Sequence, residues 1–100
     1  MNINVNAVHF TPDQKLVDFA VKKTSKLDTF FDGIISAEII LKVEKPEIAN
    51  NKVAEIKISI PAAGYLFAKK QGDSFEEAID LSNDALKKQL TKFKEKLKEK

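Results

Sequence analysis

The sequence predicts an α+β domain of order βαβββα, with a four-stranded mixed sheet and two helices packed on one face. Three observations lead there. Three segments alternate apolar and polar residues with a period of two, a shorter fourth follows a turn, and two segments repeat apolar residues at three-and-four spacing behind a helix-start signal. Each alternating segment is also apolar on one side only, so the sheet is expected to bury that side against both helices and leave the other to water.

In residues 2–8, Ile3, Val5 and Ala7 oppose Asn2, Asn4 and Asn6, which reads as a half-buried first strand. Thr11-Pro12-Asp13-Gln14 then reads as a helix start, with Thr11 as N-cap, Pro12 at the first helical position and Gln14 closing a capping box. The helix carries Leu16, Phe19, Ala20, Leu27, Phe30 and Phe31 on one stripe and is expected to stop at Asp32-Gly33. Residues 36–44 and 53–60 alternate again across turn chemistry at 46–51, the pattern of a hairpin. A turn at 61–64 leads to a shorter fourth strand at 65–70. Ser74-Phe75-Glu76-Glu77 is a second capping box, and Phe75, Ile79, Leu86, Leu90, Phe93 and Leu97 run behind it as one long helix. The first and second strands are joined through a helix, which makes them parallel if adjacent.

The 100 residues have room for a single domain and one core, expected to span 1–100. Cysteine is absent, which excludes disulfides, a zinc knuckle and a thiol nucleophile. The alternating N-terminus has neither a charged leader nor a continuous apolar run, and no later stretch approaches ~20 apolar residues, so a cytoplasmic protein without membrane contact is expected. Catalysis is not expected either. His9 is the only histidine and reads as structural or exposed; Gly33, Gly64 and Gly72 are isolated turn residues, and Glu76 and Asp80 read as solvated partners of a helix dipole. No enzyme, cofactor, metal or small-molecule substrate is anticipated.

The net charge of +2 conceals a polar distribution. Residues 73–86 carry five acids and no base, whereas 87–100 carry seven lysines against Glu95 and Glu99. All 17 basic residues are lysine, so phosphate recognition would use mobile point charges in place of bidentate guanidinium forks. At about 100° per residue, Lys88, Lys92 and Lys96 form one ridge beside the apolar stripe, and Lys87, Lys94 and Lys98 form another on its opposite side. On the first helix Lys15, Lys22 and Lys26 share a ridge and Lys23 sits at the edge of the apolar face. If the helices pack side by side, these sets merge into one surface ~20 Å long, suited to a phosphate backbone. The phenylalanines of both helices fall at core spacing, so stacking aromatics of the kind that read single strands are not expected.

Taken together, Leu16, Phe19, Lys22, Lys23, Lys26, Leu27, Phe30, Phe31 and Asp32, then Val43-Glu44-Lys45, then Ala78-Ile79-Asp80 and Leu86, Lys88, Gln89, Leu90, Lys92, Lys94 and Lys96 resemble the ribosome hibernation promoting factors, also called ribosome-associated inhibitors. The likeness covers nearly the whole chain in register. It implies the same βαβββα fold and a bacterial protein that silences translation in stationary phase or stress. It further implies binding to ribosomal RNA of the small subunit between head and body, where messenger and transfer RNA would otherwise lie. Lys23, Lys26, Lys88, Lys92 and Lys96 match basic positions of the family, and Lys22, Lys87 and Lys94 stand where relatives vary. Many relatives carry arginine at the places of Lys23 and Lys88, so contacts here would be less directional. The length corresponds to a short form without the additional C-terminal domain of long members, expected to be a monomer off the ribosome. Two other readings stand beside this one: a general double-stranded RNA-binding domain, and a protein-interaction module whose lysines serve solubility.

Overall fold

Alternation along the chain becomes a sheet because each strand can bury only one of its sides. In the computed structural model, which describes residues 1–45, 49–61 and 64–98 apart from the side chains of 97 and 98, the elements are β1 (Asn2–Ala7), α1 (Gln14–Ser25), α2 (Leu27–Phe30), β2 (Ser36–Val43), β3 (Lys52–Ile60), β4 (Gly64–Gly72) and α3 (Phe75–Lys98). The strands lie in the order β1-β2-β3-β4. β1 pairs with β2 in parallel, from Asn2 opposite Ser36 to Ala7 opposite Leu41, and the other two pairs are antiparallel. This is the expected mixed sheet. The turns expected at 46–51 and 61–64 fall partly outside the described residues.

The register brings Ile39 opposite Ile56, Ala37 opposite Ile58 and Leu41 opposite Ala54, and these residues form one core with Leu16, Ala20 and Leu27 of the first helical segment and Ala78, Ile79, Leu86 and Leu90 of α3. Ile39, Leu41, Ile56, Ile58, Ile60, Ile79, Leu86 and Leu90 are all sealed from solvent. Each such side chain contributes about 1.5–3 kcal/mol through burial, so the helices are drawn to this face of the sheet.

The first helix departs from expectation at both ends. Asp13, not Thr11, is the N-cap: its backbone is extended and its carboxylate accepts the Leu16 N–H at 2.8 Å. The Asp13 carboxylate takes the capping bond, so Pro12 stands before the cap and not at the first helical position. Gln14 closes no box and donates instead to Asp18 at 2.8 Å. The helix then breaks at Lys26, so the single expected element becomes α1 and the one-turn α2. Ser25 and Thr29 hydroxyls donate to the carbonyls of Lys22 and Lys26, which offers the backbone a local alternative to continuing the ladder. Phe31 is already extended, and Gly33 turns the chain with φ of +95°.

β4 runs further than the expected 65–70, because pairing with β3 continues to Gly72 opposite Lys52. Its register also corrects the expectation about aromatics. Ala68 lies on the core side opposite Ile56, so Tyr65 and Phe67 project from the helix-free face and are exposed. Phe10, Phe19, Phe30, Phe31, Phe75 and Phe93 do pack against the core. On the helix-free face Lys42 meets Glu55 at 2.7 Å, and the Lys42 pKa is raised from its ordinary 10.5, first by that hydrogen bond and then by the Glu55 charge.

The start of α3 follows the predicted Ser74–Glu77 box with one change of partner. The Glu77 N–H donates to the Ser74 hydroxyl at 3.0 Å, and the Glu77 carboxylate reaches back one residue further, accepting from the Asp73 N–H at 2.9 Å. Gly72 makes this reach possible, since a Cβ there would stand 2.6 Å from Glu77 Oε1.

Ser74→Ala should lower unfolding free energy by about 1 kcal/mol in urea titration. Gly72→Ala should also destabilise, and because both act through Glu77 the double variant should lose less than the sum. With Glu55 ionised, the Lys42–Glu55 pair should keep its full effect up to pH 10.5 and lose it as pH rises through the raised Lys42 pKa. Urea stability of the wild type relative to Lys42→Met should therefore shrink above that pH.

Candidate nucleic-acid interface

Two polar residues interrupt the apolar stripe of α3, and they determine how the helical layer is assembled. Ser82 and Asn83 occupy seam positions between Ile79 and Leu86, where the 3.6-residue period turns side chains inward. The buried Ser82 hydroxyl donates to the Ala54 carbonyl at 2.9 Å, which ties α3 to β3. Asn83 Nδ2 donates to Thr24 Oγ1 at 3.3 Å and to the Ile79 carbonyl at 3.1 Å, which ties α3 to α1. The gap in the stripe was the available signal for these ties, but only the fold supplies their partners.

With α1 and α3 side by side, a groove of about 370 Å³ opens between them, lined by Lys23, Lys26, Leu27, Thr29, Phe30, Asp80, Asn83, Asp84 and Lys87. Lysines from both helices therefore converge. Lys23 lies 3.3 Å from the Asp80 carboxylate and 5.6 Å from the centre of the Phe19 ring. Lys26 is exposed on the groove rim, and the exposed Lys22 stands one turn earlier on the same ridge.

Phe30 organises the far end. Lys94 Nζ donates to the Phe30 carbonyl at 2.9 Å and stands 4.9 Å from the ring centre, and Lys87 Nζ stands 5.4 Å from the same centre. A cation held against an aromatic face retains attraction for an anion on its outer side while losing some of its freedom. Lys94 also lines a second, smaller hollow with Phe30, Thr91 and Glu95.

Lys88, Lys92 and Lys96 are exposed and share a separate ridge. Successive fourth residues on a helix drift by about 40°, so the ridge begins on the outward crest at Lys88 and turns toward β4 at Lys92 and Lys96. The Gln89 amide marks that flank, donating to the Phe67 carbonyl of β4 at 2.8 Å. Of the eight predicted lysines, the structure thus gathers Lys23, Lys26 and Lys87 around one groove with Lys94 beside Phe30 in the adjoining hollow, leaves Lys22 exposed on the outward ridge of α1, and sets Lys88 on the crest of α3 with Lys92 and Lys96 turned toward β4. The acids Asp80 and Asp84 inside the groove were not anticipated as part of the surface. Their spacing on the lysine side of α3 was legible, but their convergence with Lys23 depends on how the helices pack.

The rest of the described chain offers little else for chemistry. His9 is exposed in a left-handed backbone conformation with φ of 65°. Among the described residues no group of three or more His, Cys, Asp or Glu side chains is arranged to hold a metal ion. No helix among them is long and apolar enough to cross a membrane.

Comparison with known proteins places this arrangement. A family model described as Sigma 54 modulation protein / S30EA ribosomal protein matches residues 3–98. Ribosome hibernation promoting factor of Klebsiella oxytoca is 38% identical, with 99% of this chain and 97% of that protein covered. The protein of the same name from Escherichia coli K12 is 35% identical over the same shares. Among solved structures, the N-terminal domain of Thermus thermophilus Protein Y matches with a TM-score of 0.77 at 26% identity, covering 93% of this chain and 99% of that one. A ribosomal subunit interface protein from Coxiella burnetii shares the fold, with a TM-score of 0.82 at 22% identity over 94% and 98% of the two chains. On the match to residues 3–98 and on identity across nearly the full length, the chain belongs to the Sigma 54 modulation protein / S30EA ribosomal protein family, together with the ribosome hibernation promoting factors.

Proposed function

We propose that this chain is a ribosome hibernation factor, which binds the small ribosomal subunit through the lysine surface of its helical layer and silences translation by occupying the path of messenger and transfer RNA. Its family and the names of its relatives support the ribosome-associated role. The observation that carries the choice of surface is the meeting of Lys23, Lys26 and Lys87 in one groove, flanked by Lys94 on one side and the Lys88–Lys92–Lys96 crest on the other. It acts by binding, without catalysis, in the cytoplasm of a bacterium in stationary phase or under stress, and is a monomer off the ribosome.

The physics of such a surface is counterion release. Ammonium groups replace condensed cations on the phosphate backbone, so affinity falls steeply with salt and carries little sequence information. Lysine suits this role, because a point charge on a flexible stem adapts to irregular phosphate positions without a fixed fork geometry. Specificity then comes from shape: a lysine-bearing domain of fixed outline fits a cleft of ribosomal RNA better than it fits a bare duplex. Asp80 and Asp84 oppose close approach of phosphate within the groove itself and favour contacts along its rims.

Two triple variants, Lys23→Glu with Lys26→Glu and Lys87→Glu, and Lys88→Glu with Lys92→Glu and Lys96→Glu, should each release the protein from small subunits in sedimentation at low salt. Co-sedimentation of both variants at the wild-type level would rule the surface out. Binding to ribosomes should exceed binding to bare duplex RNA at equal salt; equal affinity would favour a general duplex binder instead. Asp80→Asn should strengthen ribosome binding a few-fold at about 0.05 M salt, with the gain fading as the screening length shrinks.

A further inference from the structure

The helix-free face of the sheet carries two aromatic rings that the helical surface does not use. Tyr65 is 64% exposed and Phe67 50% exposed, and as residues i and i+2 of β4 they point the same way. The helices pack on the opposite face and so leave the rings uncovered. Lys57, directly opposite Phe67 on β3, extends its ammonium to 4.2 Å from the centre of the Tyr65 ring.

The surroundings decide what such rings would meet. Along the same face the register places Asn2, Ser36 and Ser59 in line with Tyr65, and Asn4, Glu38 and Lys57 in line with Phe67. The next row holds Asn6, Ile40, Glu55 and Lys69, and Ile40, two strands from β4, is half-buried. A protein partner would be expected to meet an accessible apolar centre from which lysine, serine and glutamate are depleted; here the other apolar residues are the half-buried Ile40 and Val53, which is already sealed from solvent in the row of Lys42 and Gln71. A nucleobase needs less: a π-face to stack on, a nearby cation for its phosphate and uncharged polar groups for its edge.

The charges fit that occupant as well. The Glu55 and Glu44 carboxylates are engaged by Lys42 at 2.7 Å and Lys69 at 3.6 Å. Among the described ion pairs none uses Lys57, which leaves its ammonium beside the rings to meet a phosphate. Cα atoms two apart on a strand are about 7 Å from each other, twice the ~3.4 Å step of a stacked nucleic acid. The platform is therefore spaced for bases splayed apart along an unpaired strand, not for the edge of a duplex.

We propose that the Tyr65–Phe67 face, with Lys57, is a second RNA site that stacks bases of single-stranded RNA, on the side of the sheet opposite the lysine surface. The face as a whole carries as many carboxylates as ammonium groups, so stacking dominates and affinity depends weakly on salt. The helical surface behaves in the opposite way, which separates the two experimentally.

The full chain supplies its own probe, because Tyr65 is the sole tyrosine and there is no tryptophan. Stacking of a base on Tyr65 quenches its emission. Ten-nucleotide oligouridylate and oligoadenylate should each quench it, with affinity changing less than about threefold between about 0.1 M and about 0.5 M salt. A blunt RNA duplex of the same length should leave the emission unchanged. Phe67→Thr keeps strand propensity but removes one π-face, and should weaken the quench by roughly tenfold. The Lys23→Glu, Lys26→Glu, Lys87→Glu variant should quench like the wild type, so failure of the lysine surface to bind ribosomes would leave this site standing. The proposal is overturned if the oligonucleotides do not quench, if Phe67→Thr has no effect, or if quenching follows the groove lysines. It is equally overturned if Phe67→Thr leaves quenching intact but removes a protein partner that the wild type retains, which would assign the rings to a protein interface.

Discussion

The structure depends on a sheet that can be covered from one side only. Ile39, Leu41, Ile56, Ile58 and Ile60 present their side chains to the same face, and the energy available from burying them can be collected only if α1 and α3 both lie there. Everything on the outer surface of the helical layer follows. Two helices confined to one face of four strands must run side by side, so basic residues that are far apart in sequence, such as Lys23 and Lys87, become neighbours across a groove. The other face, where Val53 is sealed from solvent, lies outside the main core and is free to carry polar residues and exposed rings.

Within the helical layer the polar ties matter as much as the apolar ones. A smooth aliphatic seam would allow α3 to slide along its own axis with modest loss, because apolar contacts are non-directional. Hydrogen bonds from Ser82 to Ala54 and from Asn83 to Thr24 have angular and distance requirements that specify one axial position. Phe30 then acts as a common seat for Lys87 and Lys94. These contacts limit the wandering of long side chains that would otherwise lose rotamer entropy on meeting phosphate. The exposed Lys23–Asp80 pair is different in kind, since two solvated partners exchange readily and each remains available to a ligand.

Much of this was legible before any coordinates, and the failures have identifiable causes. Period-two alternation identified β1, β2 and β3, and the Ser74–Glu77 box with its long stripe identified α3, because in each case local preference and burial agree. At the start of α1 two residues on either side of Pro12, Thr11 and Asp13, each offer a capping oxygen, and only the folded backbone shows that the Asp13 carboxylate is the one that reaches the Leu16 N–H. The break at Lys26 arises from hydroxyl groups competing for carbonyls, an effect with no trace in the apolar spacing. The short apolar run Tyr65-Leu66-Phe67-Ala68 reads the same in either register. Only pairing with β3 sends Ala68 inward and Phe67 outward. Placement of the lysines by angle on each helix was readable, whereas the carboxylates that share the groove were not, because their neighbours come from another element.

The last turns of α3 carry a tension of their own. Phe93 is the last described side chain of the helix to pack against the core, and Lys94 beside it is tied to the Phe30 carbonyl. Along the outward side of the helix Lys88, Lys92 and Lys96 repel one another at intervals of four, each successive pair costing a few tenths of a kcal/mol of helix stability. A polyanion laid along these lysines would remove that repulsion and so stabilise the helix that receives it. The cost of this repulsion is set by ionic strength, larger in dilute buffer and smaller where salt or a polyanion screens the lysines.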